Sequence, residues 1–166
     1  GGELSRNIGT RSFTTTALGT TLVGSSSQVG DFNGDGRSDL LYIDDQGTGD
    51  VLLRTGNADG TLAAASVVAT ISSSDPLSDL TELAIGDLDG DGDLDFVTGG
   101  VTPGESAVRT FINNGSGSFT LQSTRSDLLI AANGSMKLGD MDGDGRLDLA
   151  FIDGSGLNIL AGQGDG

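Results

Sequence analysis

Hydrophobic residues fall along this chain in short bursts, among them Leu40–Ile43, Val51–Leu53, Phe96–Val97, Leu149–Ile152 and Leu157–Leu160. Segments rich in Gly, Asn, Asp and Ser separate the bursts. Runs this short, rich in Val, Ile, Leu and Phe and bounded by turn formers, predict β-strands. One segment reads differently. Asp75 to Leu83 has a capping Asp followed by Pro76 at a first helical position, which predicts a short helix.

The bursts repeat as a unit. Three nine-residue windows, Asp31–Asp39, Asp87–Asp95 and Asp140–Asp148, begin 56 and 53 positions apart. Each follows an apolar residue and Gly (Val29-Gly30, Ile85-Gly86, Leu138-Gly139) and leads into an apolar run. A second apolar stretch then ends in a Gly-rich turn, at Val51–Gly60, Val108–Gly117 and Leu157–Gly166. A further strand-like segment restarts at Leu62 and at Phe119. Leu4–Phe13 reads like that second half again. The expected organisation is therefore the tail of a preceding repeat and a connecting segment over 1–28, repeat 1 over 29–84, repeat 2 over 85–137 and a truncated repeat 3 over 138–166. The links inside the units vary, short at Gly154–Gly156 and longer at Gly99–Ser106, as surface loops do. About four strands in a repeat of roughly 50 residues is the arithmetic of a β-propeller blade. The expected fold is all-β: about three blades of four antiparallel strands, in an incomplete or open propeller or repeat array.

Composition narrows the chemistry. Of 166 residues, 24 are acidic and 8 basic, a formal charge of -16, and Cys, His and Trp are absent. No Lys/Arg cluster exists to neutralise phosphates, so nucleic acid is excluded as a partner, and no apolar run suits membrane insertion. No signal-peptide pattern opens the sequence. Disulfides, thiolate nucleophiles, Ser-His triads and His/Cys metal sites are excluded by the missing residue types. Carboxylate chemistry remains, and half of the 24 acids lie in the three windows.

Within each window, positions 1, 3, 5 and 9 carry Asp or Asn: Asp31, Asn33, Asp35, Asp39; Asp87, Asp89, Asp91, Asp95; Asp140, Asp142, Asp144, Asp148. Alternate residues of a curled loop converge, and Gly at positions 4 and 6 permits the curl. Position 7 is Arg37, Asp93 or Arg146, a change of charge that suits a main-chain carbonyl donor. An all-oxygen set of this size fits a hard cation, Ca²⁺ before Mg²⁺. Solvated Asp-Gly turns are the plain alternative, but three copies in register argue against it. An EF-hand loop needs an acid at position 12 on an exiting helix. Here that position is Tyr42, Thr98 or Phe151, in a strand-like run.

The pattern V/I/L-G-D-x-[DN]-G-D-G-x-x-D-[LF] resembles the FG-GAP or VCBS calcium-loop repeats of integrin α-subunit propellers, bacterial surface and secreted proteins, and some fungal sugar-binding lectins. The literal Phe-Gly and Gly-Ala-Pro signatures are missing. The resemblance implies that each loop joins two strands of a blade and holds one Ca²⁺, about three per chain. It assigns ligation to positions 1, 3, 5, 7 and 9, with Arg37, Asp93 and Arg146 acting through the main chain. About three blades cannot close a standard ring of 4 to 8, which leaves a fragment, a protomer completed by other copies, or an open array.

The expected function is a non-catalytic, calcium-binding extracellular or cell-surface module that binds carbohydrate or protein. The alternatives are a structural repeat of a surface filament or tandem array, self-associating through open blade ends, and an accessory propeller of a larger secreted enzyme. Enzyme chemistry is disfavoured: one Tyr, one Lys and no His leave few acid/base groups, and Asp44-Asp45 reads as surface turn. Asn114-Gly115-Ser116 and Asn133-Gly134-Ser135 fit the N-glycosylation pattern, and Ser/Thr clusters at 14–16, 25–27 and 72–74 fit edges or polar loops. Phe13, Leu62 and Phe119 are expected in blade cores.

Overall fold

A computed structural model describes residues 24–44, 49–70, 80–102, 105–128, 135–153 and 155–166. The described residues form strands β1 (Gly24–Gly30), β2 (Asp39–Asp44), β3 (Asp50–Arg54), β4 (Ser66–Thr70), β5 (Leu80–Gly86), β6 (Asp95–Thr102), β7 (Glu105–Asn113), β8 (Phe119–Arg125), β9 (Met136–Gly139), β10 (Asp148–Asp153) and β11 (Gly156–Leu160). They pair antiparallel in chain order into sheet 1 (β1-β2-β3-β4), sheet 2 (β5-β6-β7-β8) and sheet 3 (β9-β10-β11). This is the expected all-β, propeller-type architecture, unclosed. Each acidic window is the connection between the first two strands of its sheet.

The period-2 geometry of a strand explains how the sheets stack. In sheet 2, Leu83, Phe96 and Phe111 face sheet 1, where Phe32, Leu41, Ile43, Val51 and Leu53 complete a buried cluster. Their sequence neighbours or near neighbours Ala84, Val97 and Val108 point the other way and pack with Met136, Leu149 and Phe151 of sheet 3. Phe96 and Phe111 stack with centroids 4.6 Å apart, and Phe119 meets Phe96 edge-on at 4.9 Å. Such aromatic pairs contribute about 0.5–1.5 kcal/mol beyond their area burial. The first strands of successive sheets lie side by side. Gln28 Nε2 donates to the Leu83 carbonyl at 2.8 Å, and the Leu83 N–H donates to Ser26 Oγ at 3.1 Å.

The Gly before the first and second windows has a packing reason. A Cβ at Gly30 would collide with Leu94, and one at Gly86 with Leu147. Leu94 and Leu147 occupy position 8 of the following window, so each Gly clears space for the next loop.

Three expectations change. Leu80–Leu83 belongs to β5, paired with β6, rather than to a helix; burial of Leu83 between sheets outweighs the helical start signal, whose own residues 75–79 lie outside the described set. Residues 99–102 and 105–106 of the expected link are strand: β6 and β7 pair out to Thr102↔Glu105. Leu62 does not open a strand but makes an isolated bridge with Gly56, and β4 starts at Ser66. Phe119 packs against the core, partly buried; Phe13 lies outside the described residues.

Candidate metal-binding loops

Each loop is a chain of side-chain-to-backbone hydrogen bonds. The position 1 carboxylate sits inside the curl. Asp87 accepts from the Gly90 N–H at 2.7 Å and the Gly92 N–H at 3.0 Å, and Asp140 does the same from Gly143 and Gly145. Asp31 accepts from Asp35 and Gly36. The curl requires positive φ at Gly90 (82°) and Gly92 (96°), conformations that favour Gly. At positions 3 and 5 one oxygen accepts the N–H two residues on: Asn33 from Asp35, Asp35 from Arg37, Asp89 from Asp91, Asp91 from Asp93, Asp142 from Asp144, Asp144 from Arg146.

Position 9 is buried. Asp39, Asp95 and Asp148 are at most 2% exposed. Each spreads its two oxygens between two backbone donors. Asp39 accepts from Phe32 (3.0 Å) and Gly56 (2.8 Å), Asp95 from Leu88 and Asn113 (2.8 Å each), and Asp148 from Met141 (2.9 Å) and Gly162 (2.8 Å). One donor starts the loop and the other lies at or just beyond the end of the third strand, so this residue ties loop to sheet. Sequence spacing offered it as a candidate ligand and missed this second role.

In the second loop, carboxylate oxygens of Asp87, Asp89 and Asp95 lie within 4.8 Å of one another, and in the third those of Asp140, Asp142 and Asp148 do likewise. Position 5 is not part of either group. Position 7 applies its side chain to the Gly-rich turn of its own sheet: Arg37 Nε donates to the Gly56 carbonyl at 2.7 Å, Asp93 lies beside Gly115, and Arg146 lies beside Gly164. Arg37 also pairs with the Asp35 carboxylate, and Arg146 reaches Asp144 at 3.7 Å. The first and third loops thus set a guanidinium against position 5. The second has an acid, Asp93, at position 7, its carboxylate beside Gly115.

The electrostatics follow from these partners. The Gly36 N–H, with help from Asp35, holds the Asp31 carboxyl below the usual range. N–H donors from Gly162 and Met141 lower Asp148. Asp95 goes the other way: burial pushes its carboxyl up against its two N–H donors, and the charges of Asp89 and Asp91 push in the same direction. A cluster of acids whose buried member resists ionisation is one that a bound cation would stabilise. Three oxygen ligands at one point, with no nitrogen or sulfur donor, fit a hard cation.

One residue at the site escaped sequence reading. Asn113, buried, donates through Nδ2 to the carbonyls of Phe32 (2.8 Å) and Leu94 (3.1 Å), clasping the first and second loops together. It accepts the Gly117 N–H on Oδ1. The matching positions in the other sheets are Gly56 and Gly162, so repeat averaging hides it. Asn114 sits on an exposed turn and accepts from Ser116. Asn133, Asp45 and the Ser/Thr clusters at 14–16 and 72–74 lie outside the described residues; Ser25–Ser27 is in β1.

The FG-GAP-like repeat family matches the chain twice, over residues 31–98 and 87–151. No curated protein sequence matches it. Solved structures do. A lectin from Agrocybe aegerita, described for specific recognition of non-reducing terminal N-acetylglucosamine, aligns with a TM-score of 0.56 at 25% identity. The alignment covers 83% of this chain and 35% of the lectin, so the chain spans about a third of that protein's length.

Proposed function

This chain belongs to the FG-GAP-like repeat family, and we propose that it is a non-catalytic, calcium-stabilised extracellular module that binds carbohydrate. The observation that carries the reading is the convergence of Asp87, Asp89 and Asp95, repeated in Asp140, Asp142 and Asp148. Calcium would be held by positions 1, 3, 5 and 9 of each window, with main-chain carbonyls of Arg37, Asp93 and Arg146 added. Its role would be to neutralise carboxylates that already organise the loops. The lectin similarity, together with a polar surface rich in Ser, Thr and Gly, favours glycan as ligand over a protein partner. The millimolar calcium found outside cells suits sites of modest affinity in extracellular modules.

The test is a glycan array probed in calcium and in chelator, including glycans ending in N-acetylglucosamine. Calcium-dependent retention of a glycan class supports the reading, and an array blank in both conditions overturns the carbohydrate assignment. A structural repeat in a tandem array is a second reading, favoured by the apolar residues exposed on sheet 3.

A further inference from the structure

The turn at the end of β7, residues 113–117, serves the second loop of its own sheet and also reaches the first loop. On the second loop it touches positions 7, 8 and 9. The Asn113 N–H donates to Asp95 Oδ1 at 2.8 Å, Asn113 Nδ2 donates to the Leu94 carbonyl at 3.1 Å, and Gly115 lies against the Asp93 carboxylate. On the first loop it touches positions 2, 3 and 4. Asn113 Nδ2 donates to the Phe32 carbonyl at 2.8 Å, Gly117 lies beside that same carbonyl and Asn33, and Gly34 lies beside the Gly115 carbonyl oxygen. The turn is braced from within, because the Gly117 N–H donates to Asn113 Oδ1 at 3.2 Å. One turn therefore bears on two windows that begin 56 positions apart.

The other two sheets lack this bridge. Where sheet 2 has Asn113 as the donor to position 9, sheets 1 and 3 have Gly56 and Gly162, which carry no side chain. Gly56 packs on Ser38 of its own loop, and Gly164 packs on Arg146 of its own loop. No described residue comes within 4 Å of a Cβ at Gly90, the second-loop counterpart of Gly34. Among the described residues, the sheet 2 turn alone hydrogen-bonds to a neighbouring loop.

We infer that the first and second loops bind calcium as a coupled pair, with Asn113 as the positioning residue between them, and that the third loop binds independently. The coupling rests on the calcium reading above. In that reading Asp95 is a ligand, and it is also the acceptor of the Asn113 N–H. An Asp95 carboxylate fixed in one position fixes its donor and the turn with it. The turn then holds the Phe32 carbonyl and Gly34 of the first loop in place. Ordering already supplied by the second loop need not be supplied again by the first, which is positive coupling carried by a hydrogen-bonded network. Linkage makes the effect mutual. The first loop has the most to gain, since Asn33 stands at position 3 and Arg37 engages Asp35. Repulsion between ions acts in the opposite sense. Sheet 2 packs between sheets 1 and 3, so the third loop feels that repulsion without the bridge and serves as the internal control.

The experiment titrates calcium into the full chain and follows Gly34 and Gly36, Gly90 and Gly92, and Gly143 and Gly145 by residue-resolved NMR, one pair for each loop. It is repeated with Asp87→Asn and Asp89→Asn combined, which removes two of the converging carboxylates of the second loop and leaves an acceptor oxygen on each side chain. Lost shifts at Gly90 and Gly92 mark the second loop as emptied. The first loop should then bind about 5- to 10-fold more weakly, the low end of ordinary coupling between sites, with the third loop changed by less than about 2-fold. Asn113→Gly, which installs the residue that sheets 1 and 3 have at this position, should abolish the effect, so that emptying the second loop no longer weakens the first. Equal weakening of the first and third loops, or none in either, overturns the coupling and leaves calcium binding standing. A first loop that weakens as much in the Asn113→Gly background refutes Asn113 as the link. A wild-type chain with no calcium-dependent shift at any of these glycines overturns the calcium reading itself, and the coupling with it.

Discussion

The side-chain amide of Asn113 donates to the carbonyl oxygen of Phe32, 2.8 Å away in space and 81 positions earlier in the chain. Both groups are buried, so each needs the other. This bond, with the one to Leu94, fixes the first and second acidic loops side by side. The loops are thus joined by more than the apolar stack beneath them.

Asn113→Ala leaves the Phe32 and Leu94 carbonyls without this donor and should destabilise the fold by about 1–3 kcal/mol. Asn113→Asp keeps the shape but loses both amide protons, and should cost at least as much. Thermal melts of the two variants check this. A melting temperature within error of wild type for both would show the clasp to be dispensable.

Asp95 accepts two backbone N–H bonds while buried. Asp95→Ala strands the Leu88 and Asn113 N–H groups as well as removing a candidate ligand. It should therefore destabilise even in chelator, by roughly 2 kcal/mol or more. Asp91→Ala should not, because Asp91 is exposed and accepts only within the loop. Comparing the two variants in chelator separates the structural role of position 9 from metal binding.

Calcium removal should lower the melting temperature of wild type. A ligand present at about 100 times its dissociation constant stabilises by about 2.7 kcal/mol per site. Three filled loops would give about 8 kcal/mol, comparable to the stability of a whole domain. Asp91→Ala should narrow the gap between melts in calcium and in chelator. Elemental analysis should find about three calcium ions per chain by loop count. Fewer than one ion, or an unchanged melt on chelation, would refute calcium as a stabilising part of the fold.

The second loop should fill first and the first loop last. Asp93 adds a carboxylate to the second, whereas the first has Asn33 at position 3 and an Arg37 that engages Asp35. Ligand charge tunes affinity. Titration followed by residue-resolved NMR of the loop glycines gives the order. Shifts at Gly34 and Gly36 that saturate before those at Gly90 and Gly92 contradict it.

Phe119→Ala empties the space between Phe32 and Phe96. Cavity formation of this kind costs about 3–5 kcal/mol. Phe119 is only partly buried, so the lower end applies. Denaturant unfolding measures the cost, and a loss below about 1 kcal/mol would mean that the pocket collapses around the missing ring.

What the sequence determined by itself is local and periodic. Short apolar bursts between turn formers fix strands, because a strand's side chains alternate and its ends need residues that bend the backbone. The Gly at positions 4 and 6 and the acids at alternate positions fix three curled loops, because φ and side-chain reach are properties of neighbouring residues. The tertiary structure decided what depends on partners far along the chain. Residues Leu80–Leu83 became strand because β6 lies beside them and Leu83 is buried between two sheets. Gly30 and Gly86 are needed for leucines of the next loop, more than 60 positions on, a demand no local window records. Position 9 acquired its structural role only when the turn after the third strand came within hydrogen-bond distance of it. Asn113 breaks the repeat and has no signature of its own; its importance comes from the Phe32 carbonyl that the stacking of sheets brings to it.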